Sequence, residues 1–189
     1  MPLKQGDYQM LKRIGWAGVI AGLIAGGTLL VMMMAFRDVP MEENGIGALI
    51  GYASMLVAMS FIFIAVKRQR DIAQGGVIKF LPAFGMGLAI SALAAVIYAF
   101  AWEVTLVITG LDFGSDYANA SIEAAEAKGM SGAELAAYAE RMRGFAEMYA
   151  NPLFRIPITI TEILPIGVLV SLVSALLLRN RKFLPAREA

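Results

Sequence analysis

Four apolar stretches, each long enough to cross a bilayer, leave this chain few folds to choose from. Ile14 to Phe36 carries no charge, and neither does Ile46 to Val66. Phe80 to about Gly110 is interrupted only by Glu103, and about Leu153 to Leu178 holds Arg155 near its start and Glu162 inside. A helix rises 1.5 Å per residue, so about 20 apolar residues span the roughly 30 Å of membrane hydrocarbon. In lipid each segment must satisfy its own amides and carbonyls, which makes every one a helix. Composition agrees, with 59% hydrophobic and 16% charged residues against about 45–50% and about 25% in soluble domains. The expected fold is all-α: a polytopic membrane protein with four transmembrane helices, forming a single domain over residues 1–189 with the lipid bilayer as its first partner.

Lys12 and Arg13 precede the first stretch as they would in a signal peptide, but the run is longer than the about 7–15 residues of such a core. It is expected to stay as an uncleaved first helix. Orientation follows from the lysine and arginine bias of the flanks. The N-terminus has Lys4, Lys12 and Arg13, the second connection has Lys67, Arg68, Arg70 and Lys79, and the tail has Arg179, Arg181, Lys182 and Arg187. The first connection is acidic, with Asp38, Glu42 and Glu43 against Arg37. In the third, Asp112, Asp116, Glu123, Glu126, Glu134, Glu140 and Glu147 outweigh Lys128, Arg141 and Arg143. The pattern predicts a multi-pass protein with both termini in the cytoplasm.

The third connection, about residues 111–151, is too long for a bare link and reads as an extracytoplasmic helical hairpin. Asp116 is expected to cap its first helix, which ends at Gly129. Ser131 and Glu134 have the spacing of a capping box for the second. Leu135, Tyr138, Met142, Phe145 and Tyr149 recur every three or four residues and predict one apolar stripe. The plain reading packs that stripe on the partner helix or at the lipid headgroups; a lid or a protein-docking face is the sharper one. Asn151-Pro152 closes the hairpin, because the residue before proline avoids helical conformation.

Helices in lipid gain little from burying apolar surface, so close contact through small residues matters more. Gly18, Gly22 and Gly26 form such a row on the first helix, and Gly47, Gly51, Ser54 and Ala58 on the second. Ala83, Gly87, Ser91, Ala95 and Ala99 do so on the third, and Gly167, Ser171 and Ala175 on the fourth. One row on every helix fits an intramolecular bundle, with a homo-oligomer through the helix-one glycines as the alternative.

Ionisable residues inside a span are costly, which singles out Glu103 and Glu162. Glu103 lies roughly 10 Å below the boundary near Gly110, and Glu162 roughly 14 Å below the same boundary near Leu153. Facing each other, they would share a proton, since two buried like charges do not both ionise cheaply. Arg155, two turns from Glu162, together with Thr159 and Thr161, and Tyr52 and Ser54 on the second helix, are the candidate partners. Pro165 frees the carbonyl of Thr161 and is expected to kink the last helix. The bland reading is that the glutamates fix helix register; the sharper one is a proton, ion or ligand site.

Histidine and cysteine are absent, which removes histidine- or cysteine-ligated metal and haem, triad nucleophiles and disulfides. No catalytic residues, metal ligands or cofactor are expected, and no enzyme activity. A net charge of +1 offers no basis for binding nucleic acid. Gly75-Gly76 lacks the pattern of a phosphate loop. Gly75 is expected to end a cytoplasmic extension of the second helix, with the neighbouring basic residues at anionic headgroups.

Several motifs carry a resemblance. Gly51-Tyr52 with Met55, Arg70-Asp71 with Gly75-Gly76-Val77-Ile78-Lys79-Phe80, and Ala83-Phe84 with Gly87 are similar to the first half of the bacterial domain-of-unknown-function family 4199. Ile97-Tyr98 with Trp102-Glu103, Phe145 to Tyr149 with Asn151-Pro152-Leu153 and Arg155, and Glu162-Ile163 with Pro165 and Gly167 resemble its second half. The likeness runs from about Gly15 to Lys182. It implies a bacterial, four-helix integral protein of the cytoplasmic membrane and brings no function with it. Two readings stand: a non-enzymatic accessory or scaffold protein docking a partner at the outer hairpin, or a small transporter or proton- or ligand-binding protein using Glu103 and Glu162.

Overall fold

The computed structural model describes residues 5–35 and 45–185, without the side chains of 5 and 45–48. It is all-helical: α1 (Gln5–Ala35), α2 (Gly45–Arg68) continued by a π-helical turn (Gln69–Ala73), α3 (Phe80–Thr109), α4 (Phe113–Ala127), α5 (Gly132–Tyr149) and α6 (Pro152–Leu178). Helices α1, α2, α3 and α6 are the four long and apolar enough to span a membrane, and the α4–α5 hairpin lies between the third and fourth. Expectations resting on Lys4, Phe36, Arg37, Asp38, Glu42, Glu43, Arg187 and the surroundings of Gly47 fall outside the described residues.

The third and fourth spans begin and end where the apolar stretches do. Gly110, at φ +66°, adopts the left-handed conformation that closes α3 and returns its amide to the Leu106 carbonyl. Asn151 caps α6 by accepting from the Leu153 amide at 3.0 Å, with Pro152 in the first turn where its missing amide costs nothing. The first two helices overrun the hydrocarbon. Nothing between Gln5 and Ile14 breaks a helix, and Asp7 suits the positive end of the α1 dipole. Gly75 (φ +60°) and Gly76 (φ +82°) end the extension of α2, and the Gly76 amide donates to the Arg70 carbonyl at 2.9 Å.

Two capping expectations are corrected. Asp112, not Asp116, caps α4, accepting from the Ser115 amide at 3.3 Å and hydroxyl at 2.7 Å. Ser131 precedes α5 without a side-chain bond. Gly132 follows it at φ +61°, and that turn carries the chain away from capping-box geometry. Gly129 ends α4 as expected, with a left-handed φ of +92°. The α5 stripe packs against α4, with Tyr149 buried and Leu135, Tyr138, Met142 and Phe145 partly so; Ala139, beside the stripe, is buried as well.

In the bundle α3 lies between α1 and α6, and α2 closes the square against the same two helices. A Cβ on Gly18 would stand 2.8 Å from Leu93, one on Gly22 2.6 Å from Ile97, and one on Gly26 would collide with Ala101. Each step of four on α1 meets a step of four on α3, as a parallel pair requires. The glycine face is thus occupied inside the chain, which withdraws it as a self-association surface. Across the antiparallel pair, Gly87 faces Ser171 and Gly167 faces Ser91, where an added Cβ would lie 2.6 Å and 2.5 Å from the serine hydroxyls. The two hydroxyls touch at 3.3 Å, and each also donates to a carbonyl of its own helix. On α2 the buried face is Met55, Ala58, Met59, Ile62, Ala65 and Val66, while Gly51 has open space around it.

The end of the bundle that holds the α2–α3 connection also holds both described chain ends. Arg13 donates to the Arg68 carbonyl at 3.1 Å and to Gln69 at 2.6 Å. Arg70 is fully buried rather than at headgroups. It pairs with Asp71 at 2.6 Å and donates to the carbonyl of Leu178, the last residue of α6, and to those of Phe183 and Leu184 beyond it. The reason is periodicity: Gln69 and Arg70 continue the buried stripe of α2, and the carbonyls left over at a helix C-terminus supply acceptors.

The glycine contacts set an expected outcome. Gly22→Leu should lower the thermal midpoint in detergent by overpacking worth about 1–3 kcal/mol. Gly27→Leu, at an exposed glycine five residues on, should leave it near the original value. Equal losses from both would show that α1 does not meet α3 through this face.

Candidate functional site

The charged side chains of α3 and α6, Glu103, Arg155 and Glu162, all lie toward the hairpin end of those helices. Arg155 leaves the first turn of α6 and meets Glu103 with two parallel bonds, Nε to Oε1 at 2.7 Å and Nη2 to Oε2 at 2.6 Å. Fork-to-fork contacts of this kind combine charge with fixed geometry. The remaining nitrogen, Nη1, donates to the Tyr149 carbonyl at 3.0 Å, where α5 runs out of helical partners. Its guanidinium carbon also stands 5.7 Å over the Tyr149 ring. One side chain therefore ties α3, α5 and α6 together.

Aromatic residues complete the junction. The Trp102 indole donates to the Tyr149 hydroxyl at 2.8 Å, and Phe113 stands edge-on to Trp102 with centroids 5.0 Å apart. Phe145 lies 6.0 Å from Tyr117 and 6.4 Å from Phe154 by centroid. Burial raises the Tyr149 phenol above the ordinary tyrosine range, against the Trp102 hydrogen bond, which favours the phenolate.

Glu103 and Glu162 take different partners. Arg155 reaches across to α3 instead of along its own helix. Two turns further on, Glu162 accepts one hydrogen bond, from the Tyr98 hydroxyl at 3.4 Å, and opens outward. Thr159 is buried and donates to the Arg155 carbonyl at 3.1 Å. Thr161 is exposed and donates to the Ile158 carbonyl at 2.7 Å. Tyr52 is exposed, and no hydrogen bond from it is found among the described residues. Helix α6 continues through both Pro157 and Pro165. Phe113, Tyr117, Phe145, Tyr149, Ile158, Thr159, Thr161 and Glu162 enclose an open groove of ≈ 340 Å³ between hairpin and α6. Among the described residues no group of acidic side chains could hold a metal ion.

Tyr98 and Trp102 are the residues that spacing alone passed over. Both sit on the buried stripe of α3 with Ala94, Ala95 and Thr105, so they look like ordinary core until α5 and α6 are folded against them.

Residues 17–180 match the family described as protein of unknown function DUF4199. The chain belongs to that family. The DUF4199 match covers all six helices in whole or part, and with them Tyr98, Glu103, Arg155 and Glu162. Among curated proteins and among solved structures, none matches the chain.

The junction can be tested by a double-mutant cycle. Arg155→Gln leaves the Glu103 carboxylate unpaired and should make the hairpin cleavable by protease in detergent, with a lower thermal midpoint. Adding Glu103→Gln removes the orphaned charge and should recover part of that loss. Additive losses would mean that the pair does not hold the hairpin.

Proposed function

We propose that this DUF4199 protein is a non-enzymatic accessory or scaffold protein of the bacterial cytoplasmic membrane, which presents the α4–α5 hairpin outside the cytoplasm to a basic protein surface. The single observation that supports this most is the fastening of the hairpin by Arg155, Glu103 and the aromatic cluster. A hairpin serving only as a connector has no use for a bond to three helices. Held in place, it exposes Asp112, Asp116, Glu123, Glu126, Glu134, Glu140 and Glu147 against Lys128, Arg141 and Arg143. Orientation rests on the opposite end, where Lys12, Arg13 and Arg68 line a groove with Trp16 between α1 and α2. That basic end belongs in the cytoplasm by the lysine and arginine rule.

The alternative is a small transporter or a proton- or ligand-binding protein using Glu103 and Glu162. Its support narrows to Glu162, because the Arg155 fork occupies both oxygens of Glu103.

The chain has no cysteine, so introduced thiols report without background. A membrane-impermeant maleimide should label Glu126→Cys in intact cells and Arg181→Cys only after lysis. The reverse pattern would overturn the orientation. Joint substitution of Glu123, Glu126, Glu140 and Glu147 by glutamine should remove a stoichiometric partner seen by native mass spectrometry, with the thermal midpoint kept. A partner retained at full occupancy would sink the docking role.

A further inference from the structure

Beyond Asp7 at the start of α1, and Glu162 aside, the carboxylates of the long helices and of the turn that continues α2 are matched with cations. Asp71 has both Arg70 and Lys67, and Glu103 has Arg155. Glu162 stands apart: among the described residues no cation lies within ion-pair distance, and its one bond is the 3.4 Å contact from Tyr98. A carboxyl group at this depth in a span, turned outward with most of its acceptor capacity unused, is a site in want of a partner.

The surroundings specify that partner. Tyr117, Phe145 and Tyr149 wall the groove above Glu162, and aromatic faces attract organic cations. The Arg155 guanidinium over Tyr149 shows the same attraction satisfied within the chain. On the other side, sharing Thr161 with the groove, the outward face of α6 continues as an apolar strip through Leu164, Pro165, Val168, Leu169 and Leu172. That strip offers contact to hydrocarbon and nothing to hold a charge. Arg155 is already engaged by Glu103 and the Tyr149 carbonyl, so a phosphate beside the ligand's cation would find no counter-charge here.

We propose that the groove between the hairpin and α6 binds an ammonium-headed amphiphile, with the cationic head between Glu162 and the aromatic walls and the alkyl tail along the apolar strip of α6. Such a ligand arrives from the lipid, because the strip faces outward along the span. This site is independent of the docking role assigned to the hairpin's acidic surface.

The probe is dodecyltrimethylammonium, titrated into the protein in uncharged maltoside micelles. Trp16→Phe leaves Trp102 as the sole tryptophan, in contact with two groove walls, Phe113 and Tyr149. Its fluorescence should change saturably. Glu162→Gln should raise the half-saturation concentration about tenfold or more, while Asp7→Asn, exposed at the start of α1, leaves it unchanged. A change that never saturates, an equal response to dodecanol, or indifference to Glu162→Gln would each overturn the site. Should Glu162→Gln fail to fold, the unsubstituted chain decides. A hydrophobic carbodiimide should label Glu162, and dodecyltrimethylammonium but not dodecanol should protect it. Labelling undiminished by the ammonium compound would equally overturn the proposal.

Discussion

Everything in this bundle is hung on how closely α3 approaches its two neighbours. Lipid gives helices little reason to associate through apolar surface, so contact depends on backbones coming near enough for dense van der Waals packing. On one side α1 supplies the room, with Gly18, Gly22 and Gly26 against Leu93, Ile97 and Ala101. On the other the room is shared, glycine facing serine in both directions between α3 and α6. The serines add little bulk and satisfy their own hydroxyls on the carbonyls of Gly87 and Gly167. Such a contact tolerates one register, because sliding either helix by a residue drives a side chain into a backbone.

That register carries through to the charged end. Glu103 and Arg155 lie further along the same antiparallel pair, and the fit at Gly87, Ser91, Gly167 and Ser171 delivers them to each other. The ion pair then reaches a third element, since the guanidinium also takes the last carbonyls of α5. Arg70 solves the same problem at the opposite end of the bundle. It too joins a carboxylate to carbonyls at and beyond a helix C-terminus, with Asp71 on one side and Leu178, Phe183 and Leu184 on the other. A guanidinium suits both places: it is flat, always charged, and presents more donors than one carboxylate can accept. Helix ends near the membrane boundary leave carbonyls that neither lipid nor the helix can serve.

Much of the fold is legible in the sequence. Limits of α3 and α6 follow from where charge and helix-ending residues stop an apolar run, and Gly110, Gly129 and Asn151-Pro152 mark ends by local stereochemistry. Caps were harder, because Asp112 and Asp116 are equivalent by residue type and only the backbone path chooses between them. At the candidate site, the cost of charge in lipid was enough to single out Glu103, Arg155 and Glu162. How they pair was not legible. Spacing puts Arg155 and Glu162 on one face of α6, which suggested a partnership along the helix, whereas Arg155 bonds across to α3. Arg70 could have been found, since it continues the three-four spacing of Met55, Ala58, Ile62 and Val66, but a basic run beside a membrane reads first as surface.

Four helices long and apolar enough to span a membrane, with a charged hairpin between the third and fourth, follow from the residue order alone. Backbone hydrogen bonding in lipid permits nothing else for such stretches, and that constraint acts within each segment. Which carboxylate is matched and which is left open follows from how the helices pack. Ion pairing depends on side chains from separate helices meeting at one depth and one rotation. Those are set by the packing of glycines and serines many turns away.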